Sequence, residues 1–505
     1  MRKVTGSFVA LALFVAAPAF GSPAPEPKAR DPQQMVETFY SDFYAKNYDA
    51  ALADIKDLDP GASNPVGEAL VASMRASALL GLKREAEARP LIAQIDKLSP
   101  DDPTAQSALF QGALIVDNYD AAADSIDSLI THFPDSARTL DWDLVSFFLS
   151  HEPKGQDQRN EDRRVKLAQI GYQRDSIIGQ WRTVDAVKIL ARRGDDKAAG
   201  ELLKSVHQPS AFEAMLIQKR YSALWPQLEE AGGKHLARVR EAAVTSAEKD
   251  YAAAPDDREK LQVYVDALRH AGRFDDAIAL KSKLPSAADM ATTDEKTGWV
   301  VNSIAYAMLD AGRGDEGDRL FAMLDEPQRT DGGWRVSMII NRLEMLVTSG
   351  KFEKAATLID ATEESAKYDG SPFAKQLVRR LRYCILSSLG QKDAAAKVLP
   401  EVMAHADDAL QATIEGLLCA GDDDKAEQLV LKGLANPDEQ KRESFEEDFV
   451  HALQPVRLTG DDPSVWEDKW KELRKRPAIA AAYAKLGRDL PADLLPESGR
   501  GLAAK

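Results

Sequence analysis

A chain of 505 residues with 44% apolar and 29% charged side chains has ample material for a packed core, which excludes global disorder. Its formal net charge of -16 argues against nucleic acid or anionic lipid as the main partner, because both need clustered lysine and arginine. Only Cys384 and Cys419 are present, so the fold is not a scaffold built from disulfides.

In chain order, Arg2 and Lys3 precede the apolar run Phe8 to Ala17, and the small residues Ala19 and Gly21 offer a cleavage site. This pattern predicts a secretory signal over residues 1–21. The run is too short to span a bilayer comfortably, and no later stretch approaches the ~20 apolar residues a span needs. No cysteine stands beside the cleavage point to carry a lipid anchor. The expectation is an exported protein of bacterial type, periplasmic or secreted, without a membrane span. Cleavage would remove two positive charges and move the net charge from -16 to -18. Residues 22–32, with Pro23, Pro25, Pro27 and Pro32, read as an extended linker.

From there a turn recurs in which a Gly or small polar residue is followed, five positions later, by a small residue inside a new helix. Clear copies are Gly272 to Ala277, Gly350 to Ala355, Gly390 to Ala395, Gly421 to Ala426, Gly194 to Ala199 and Gly81 to Ala86. Lys46 to Ala51 and Asp117 to Ala122 replace the glycine, and weaker copies are Gly232 to Ala237 and Gly312 to Gly317. The one double step places a further copy near Gly155, and the mean spacing between positions 46 and 421 is then 37.5 residues. Gly ends one helix in the left-handed conformation, an acidic residue favours the next start, and Ala lets the two helices approach. Alternating β-branched runs do not recur. A fixed period of this size predicts an all-α solenoid of ten or eleven helical hairpins.

The segment Asn118-Tyr119-Asp120-Ala121-Ala122 through Leu129, Phe133, Pro134 and Asp135 resembles a tetratricopeptide repeat. Similar hairpins cover roughly residues 33–435, most of them longer than that family's usual unit. The resulting division is N-terminal repeats over 33–135, a degenerate repeat or connector over 136–170, the main array over 171–435, and C-terminal capping helices with a tail over 436–505. The capping helices place Trp466 and Trp470 on one face. Gly317 stands where the packing alanine belongs. Cys384 and Cys419 occupy non-equivalent positions of neighbouring units; two buried thiols is the simpler reading, and a bridge stays open.

Motifs for chemistry are weak. The seven histidines have no helical metal-site spacing, so no metal is expected, and His151-Glu152 lacks the second histidine of a zinc-protease motif. Ser246 to Lys249 and Lys296 to Gly298 match elements of serine penicillin-recognising enzymes, but no strands surround them. Phosphate-loop and dinucleotide fingerprints are missing, so no cofactor is expected. The basic run Arg159 to Lys166 is broken by Glu161 and Asp162 and reads as a solvated face.

The resemblance implies that the first helix of each hairpin lines a concave groove that takes a peptide or protein segment. Counting back eleven and seven residues from the packing position gives Lys188 and Arg192 before Ala199, Asp266 and His270 before Ala277, and Tyr306 and Asp310 before Gly317. These six are the candidate groove residues of a non-enzymatic interaction scaffold. The alternative is a helical-repeat enzyme of α/α-toroid type that cleaves an envelope or extracellular polysaccharide with paired carboxylates.

Overall fold

The computed structural model describes residues 31–58, 64–98, 102–174, 176–290, 293–324, 333–455 and 467–495. The expected signal over 1–21, residues 22–30 of the expected linker, Trp466 and the tail after 495 lie outside them. The architecture is an all-α solenoid of helical hairpins, and among the described residues the only β-type pairing is an isolated bridge between Gln218 and Gly487. The chain divides into two compact units, residues 1–174 and 175–505.

The first unit contains α1 (Pro32–Tyr44), α2 (Tyr48–Asp54), α3 (Pro65–Gly81), α4 (Glu85–Leu98), α5 (Thr104–Ile115), α6 (Tyr119–His132), α7 (Pro134–Arg138), α8 (Trp142–Ser150) and α9 (Asp157–Gln169). Proline at the first turn and a side-chain cap set the starts. Pro32 follows Asp31, whose carboxylate accepts from the Gln33 amide, and Asn118 accepts from the Ala121 amide at 3.0 Å. Phe39, Phe43, Phe110 and Phe148 are buried together with the small residues that let the helices close up.

The second unit begins with α10 (Ile177–Arg192), α11 (Asp196–Leu203), α12 (Pro209–Ile217), α13 (Trp225–Gly232), α14 (Ala237–Ala253), α15 (Arg258–His270), α16 (Phe274–Ala279) and α17 (Ala287–Met290). It continues with α18 (Glu295–Asp310), α19 (Gly314–Ala322), α20 (Trp334–Thr348), α21 (Phe352–Asp369), α22 (Pro372–Ser388) and α23 (Lys392–Ala404). Its last helices are α24 (Leu410–Ala420), α25 (Asp423–Leu434), α26 (Glu439–Ala452), α27 (Glu467–Arg474) and α28 (Pro477–Leu486).

The turn residues explain the hairpins. Lys46, Asp117, Gly155, Gly194, Gly272, Gly312, Gly350, Gly390 and Gly421 all adopt φ between +57° and +79°, the left-handed cap that stops a helix. The copy inferred at Gly155 is among them. Ala51, Ala122, Ala199, Ala277, Ala355 and Ala426, five positions on, are completely buried. Two expected turns differ. Gly81 stays helical and Lys83 takes the left-handed cap at φ 60°, so the buried small residue is Ala88 and not Ala86. Around Gly232 the chain makes an irregular passage with positive φ at Gly233, His235 and Leu236. Gly317 is glycine because α19 lies against the α18 backbone: a Cβ there would sit 2.8 Å from the Ala305 carbonyl oxygen.

Within the second unit, contacts between neighbouring helices form a closed circuit. It runs from α14 through α15, α18, α20, α22, α24 and α26, then from α26 to α12, and from α12 back to α14. The last helices of the unit therefore meet its first ones. Open stacking leaves two ends; closure removes both.

Candidate functional site: the polar row of the second unit

The first helices α15, α18, α20, α22 and α24 carry a row of polar side chains that meet from one helix to the next. On α15 and α18, Arg269 pairs with Asp310 at 2.6 Å, and both are buried. The same guanidinium lies 5.2 Å from the Tyr306 ring centre, a cation over an electron-rich face. Tyr306 is buried and donates its hydroxyl hydrogen to the Asn341 carbonyl at 3.4 Å on α20, while the Asn341 amide donates to Asn302 at 2.9 Å. On α22, buried Arg380 is clamped between Glu344 of α20 and Glu415 of α24, the latter at 3.3 Å. Both carboxylates keep 18% of their side-chain surface exposed, so they remain reachable.

All six groove residues of the sequence analysis are on first helices. Asp266 receives a hydrogen bond from Ser303, and the ring of His270 bonds the Asp266 carbonyl at 2.8 Å. Tyr306 and Asp310 join the Arg269 cluster described above. Lys188 and Arg192 lie apart from those four and meet α26 instead: Lys188 pairs with Glu447 at 2.6 Å, and Arg192 approaches Glu443 at 3.5 Å. Arg269, Glu344, Arg380, Glu415 and the acidic residues of α26 were not singled out by sequence. A signal for two of them existed. Glu344 and Glu415 stand eleven residues before Ala355 and Ala426, the same offset as Lys188, Asp266 and Tyr306.

Burial dominates the electrostatics here. Desolvation pushes the Glu415 carboxyl up to about 7, with Arg380 opposing and neighbouring Glu344 adding to the rise. On α26, desolvation and then Glu447 lift Asp448 to about 6. Burial also raises Asp266 against the lowering bond from Ser303. A carboxyl whose folded pKa exceeds its unfolded value holds a proton that the unfolded chain has released, so stability is lost as pH rises through that window. For Glu415 the window runs from about 4.5, the ordinary value, to about 7. Glu415→Gln is therefore expected to gain up to about 3 kcal/mol at pH 8 and to flatten the loss of stability between pH 5 and 8. Urea unfolding across that range checks it; an unchanged slope would show that Arg380 compensates the charge fully.

The remaining motifs have structural partners. Glu152 accepts from Arg163 at 2.9 Å and from Arg164, so the glutamate of that pair serves an ion-pair network. Arg159 binds Asp124 and Asp127 and the buried Arg163 binds Asp127, so these two residues of the Arg159 to Lys166 run are engaged with α6 and not solvated. Lys296 pairs with Glu259 at 3.0 Å, and the Asp294 carboxylate caps the Thr297 amide at the α18 start. Among the described residues no three acidic, histidine or cysteine side chains gather as a metal site would require, and no helix is long and apolar enough to cross a membrane. Cys384 and Cys419 are joined in a disulfide with their Cα atoms 5.5 Å apart, which corrects the simpler reading of two thiols.

No protein-family profile and no curated protein sequence matches this chain. Among solved structures, the complex titled "Structure of Naa15/Naa10 bound to HypK-THB" is similar at 11% identity, with 90% of this chain and 79% of that chain covered and a TM-score of 0.22. A "Circular tandem repeat protein with novel repeat topology and enhanced subunit contact surfaces" is similar at 11% identity, with 90% of each chain covered and a TM-score of 0.16. Scores this low give no ground for transferring a partner or an activity to this chain.

Proposed function

We propose that this is an exported, tetratricopeptide-like scaffold that binds an extended protein segment along the polar row of its second unit. The observation that carries the reading is the row itself: polar side chains on successive first helices, meeting from α15 to α24, in place of the apolar face that a purely structural stack would use. Asp266, Asp310, Glu344 and Glu415 outnumber Arg269 and Arg380 along it, so the favoured segment carries lysine or arginine. Incoming cations would favour the ionised form of Glu415, which burial chiefly disfavours. Export is supported by the signal-like N-terminus and by a disulfide, which persists in oxidising compartments.

The test is fluorescence anisotropy with residues 22–505 and two labelled extended peptides, one alternating lysine with serine and one glutamate with serine. The basic peptide is expected to bind and to lose affinity roughly tenfold in Glu344→Gln/Glu415→Gln. Equal retention of both peptides, or of neither, would sink the proposal. A second reading has its own observation. Two carboxylates share one guanidinium, and one of them is held protonated near neutral pH, which is the acid-base pairing that polysaccharide hydrolysis uses. Release of reducing ends from an envelope polysaccharide, lost in Glu415→Gln, would favour that enzyme.

A further inference from the structure

The circuit of the second unit is fastened unevenly. Neighbouring first helices from α15 to α24 are in extensive contact, whereas α26 touches α24 and α12, and α12 touches α14, only over short stretches. Helix α26 is two-sided. Its apolar side belongs to the C-terminal block: the Phe445 ring lies against Gly433 of α25, and Val450 lies against Gly487 just beyond α28. Its acidic side meets the start of the unit, where Lys188 pairs with Glu447 at 2.6 Å, Arg192 reaches Glu443 at 3.5 Å, and Arg220 reaches Glu446 at 2.7 Å and Glu443 at 3.7 Å. These side chains are 17–41% exposed, so each pair adds little and is screened by salt.

A short strap, residues 488–495, completes the joint. Asp489 is tied to Tyr483 at 2.7 Å and to Arg474 at 2.7 Å, and the Leu490 amide donates to Gln454 at 3.1 Å, so the strap moves with the C-terminal block. Across the joint the Arg488 amide donates to the Ile217 carbonyl at 2.8 Å, and its guanidinium binds the Leu216 carbonyl, Glu229 and the face of Trp225, 3.5 Å from the ring centre. The His235 amide donates to the Asp493 carbonyl at 2.8 Å.

We propose that the second unit is a circuit that opens reversibly at this joint, with α26, α28 and the strap parting from α10, α12 and the 219–224 turn as one body. The interface that parts carries the exposed ion pairs, the contacts of Arg488 and the hydrogen bonds of His235. Opening breaks the closed chain of contacts and parts the acidic side of α26 from Lys188, Arg192 and Arg220. On the binding reading above, which the joint itself does not require, this is where a basic segment enters.

Hydrogen exchange of the 22–505 protein, read at the Arg488 and His235 amides, tests the joint directly. Both amides are expected to exchange at least roughly tenfold faster in ~1 M salt than in ~50 mM, while the amides of α18 and α22 are unchanged. Lys188→Glu/Arg192→Glu/Arg220→Glu should produce the fast exchange already at low salt, and adding Glu443→Lys/Glu446→Lys/Glu447→Lys should restore protection. Arg488→Ala should speed His235 exchange without touching α18. Exchange at the joint that stays as slow as in α18 at every salt concentration overturns the proposal, and the unsubstituted protein alone decides this if the charge variants lose protection in α18 as well. Fast joint exchange that the lysine peptide leaves unaltered would keep the joint and discard it as the point of entry for a basic segment.

Discussion

Arg163→Met is expected to destabilise the first unit by about 3 kcal/mol, the largest effect of any single polar substitution there. The Arg163 side chain is wholly buried, and its guanidinium binds Asp127 at 2.6 Å and Glu152 at 2.9 Å and also lies 5.1 Å from the centre of the Phe148 ring. It ties α9 to α6 from inside the packing. Methionine fills most of the volume but leaves Glu152, only 5% exposed, with Arg164 as its remaining cation. Breaking a buried pair costs more than the pair contributed, because the surviving charge stays desolvated. The cost falls toward the low end of the usual range because Arg159 still holds Asp127 at 2.8 Å. Arg164→Met, at a side chain 41% exposed, should cost less than about 1 kcal/mol. Urea unfolding of the two variants separates them, and adding Asp127→Asn and Glu152→Gln to Arg163→Met should recover part of the loss. Equal stabilities would show that the network is solvated in solution.

The same arginine marks where sequence reading stops. Arg159 to Lys166 looks like a solvated basic stretch because Glu161 and Asp162 interrupt it, and one-dimensional spacing cannot reveal that the partners sit 32 to 36 residues earlier on α6. The hairpins themselves were legible for a local reason. A helix stop needs a left-handed residue and a close helix crossing needs a small one, so both leave a mark at fixed spacing. Lys83 shows how that mark fails. Lysine supplies the left-handed cap there, while the more obvious Gly81 receives the Tyr48 ring: a Cβ at Gly81 would fall 2.8 Å from it. Circuit closure left no mark in the sequence at all, because it joins residues such as Lys188 and Glu447 that are 259 positions apart.

Reduction of the Cys384–Cys419 bond is expected to cost the second unit about 4 kcal/mol, since it releases a loop of 35 residues in the unfolded chain. The offsets that place Glu344 and Glu415 in the polar row also bear on this bond. Cys384 stands eleven residues before Ala395, and Cys419 stands seven before Ala426. Non-equivalent offsets argue against pairing only if neighbouring first helices lie level with one another. In a solenoid they are staggered, so the upper position of one helix comes beside the lower position of the next, and Cys384 on α22 reaches Cys419 on α24. Both helices belong to the tightly packed arc of the circuit, away from the α26 joint. Loss of the bond should therefore lower the denaturation midpoint of the second unit and leave exchange at Arg488 and His235 as it was. Cys384→Ala/Cys419→Ala should match the reduced protein, because the effect resides in the unfolded chain. A double variant as stable as the oxidised protein would mean that the bond constrains nothing the helices had not already fixed, and would remove the disulfide as support for export.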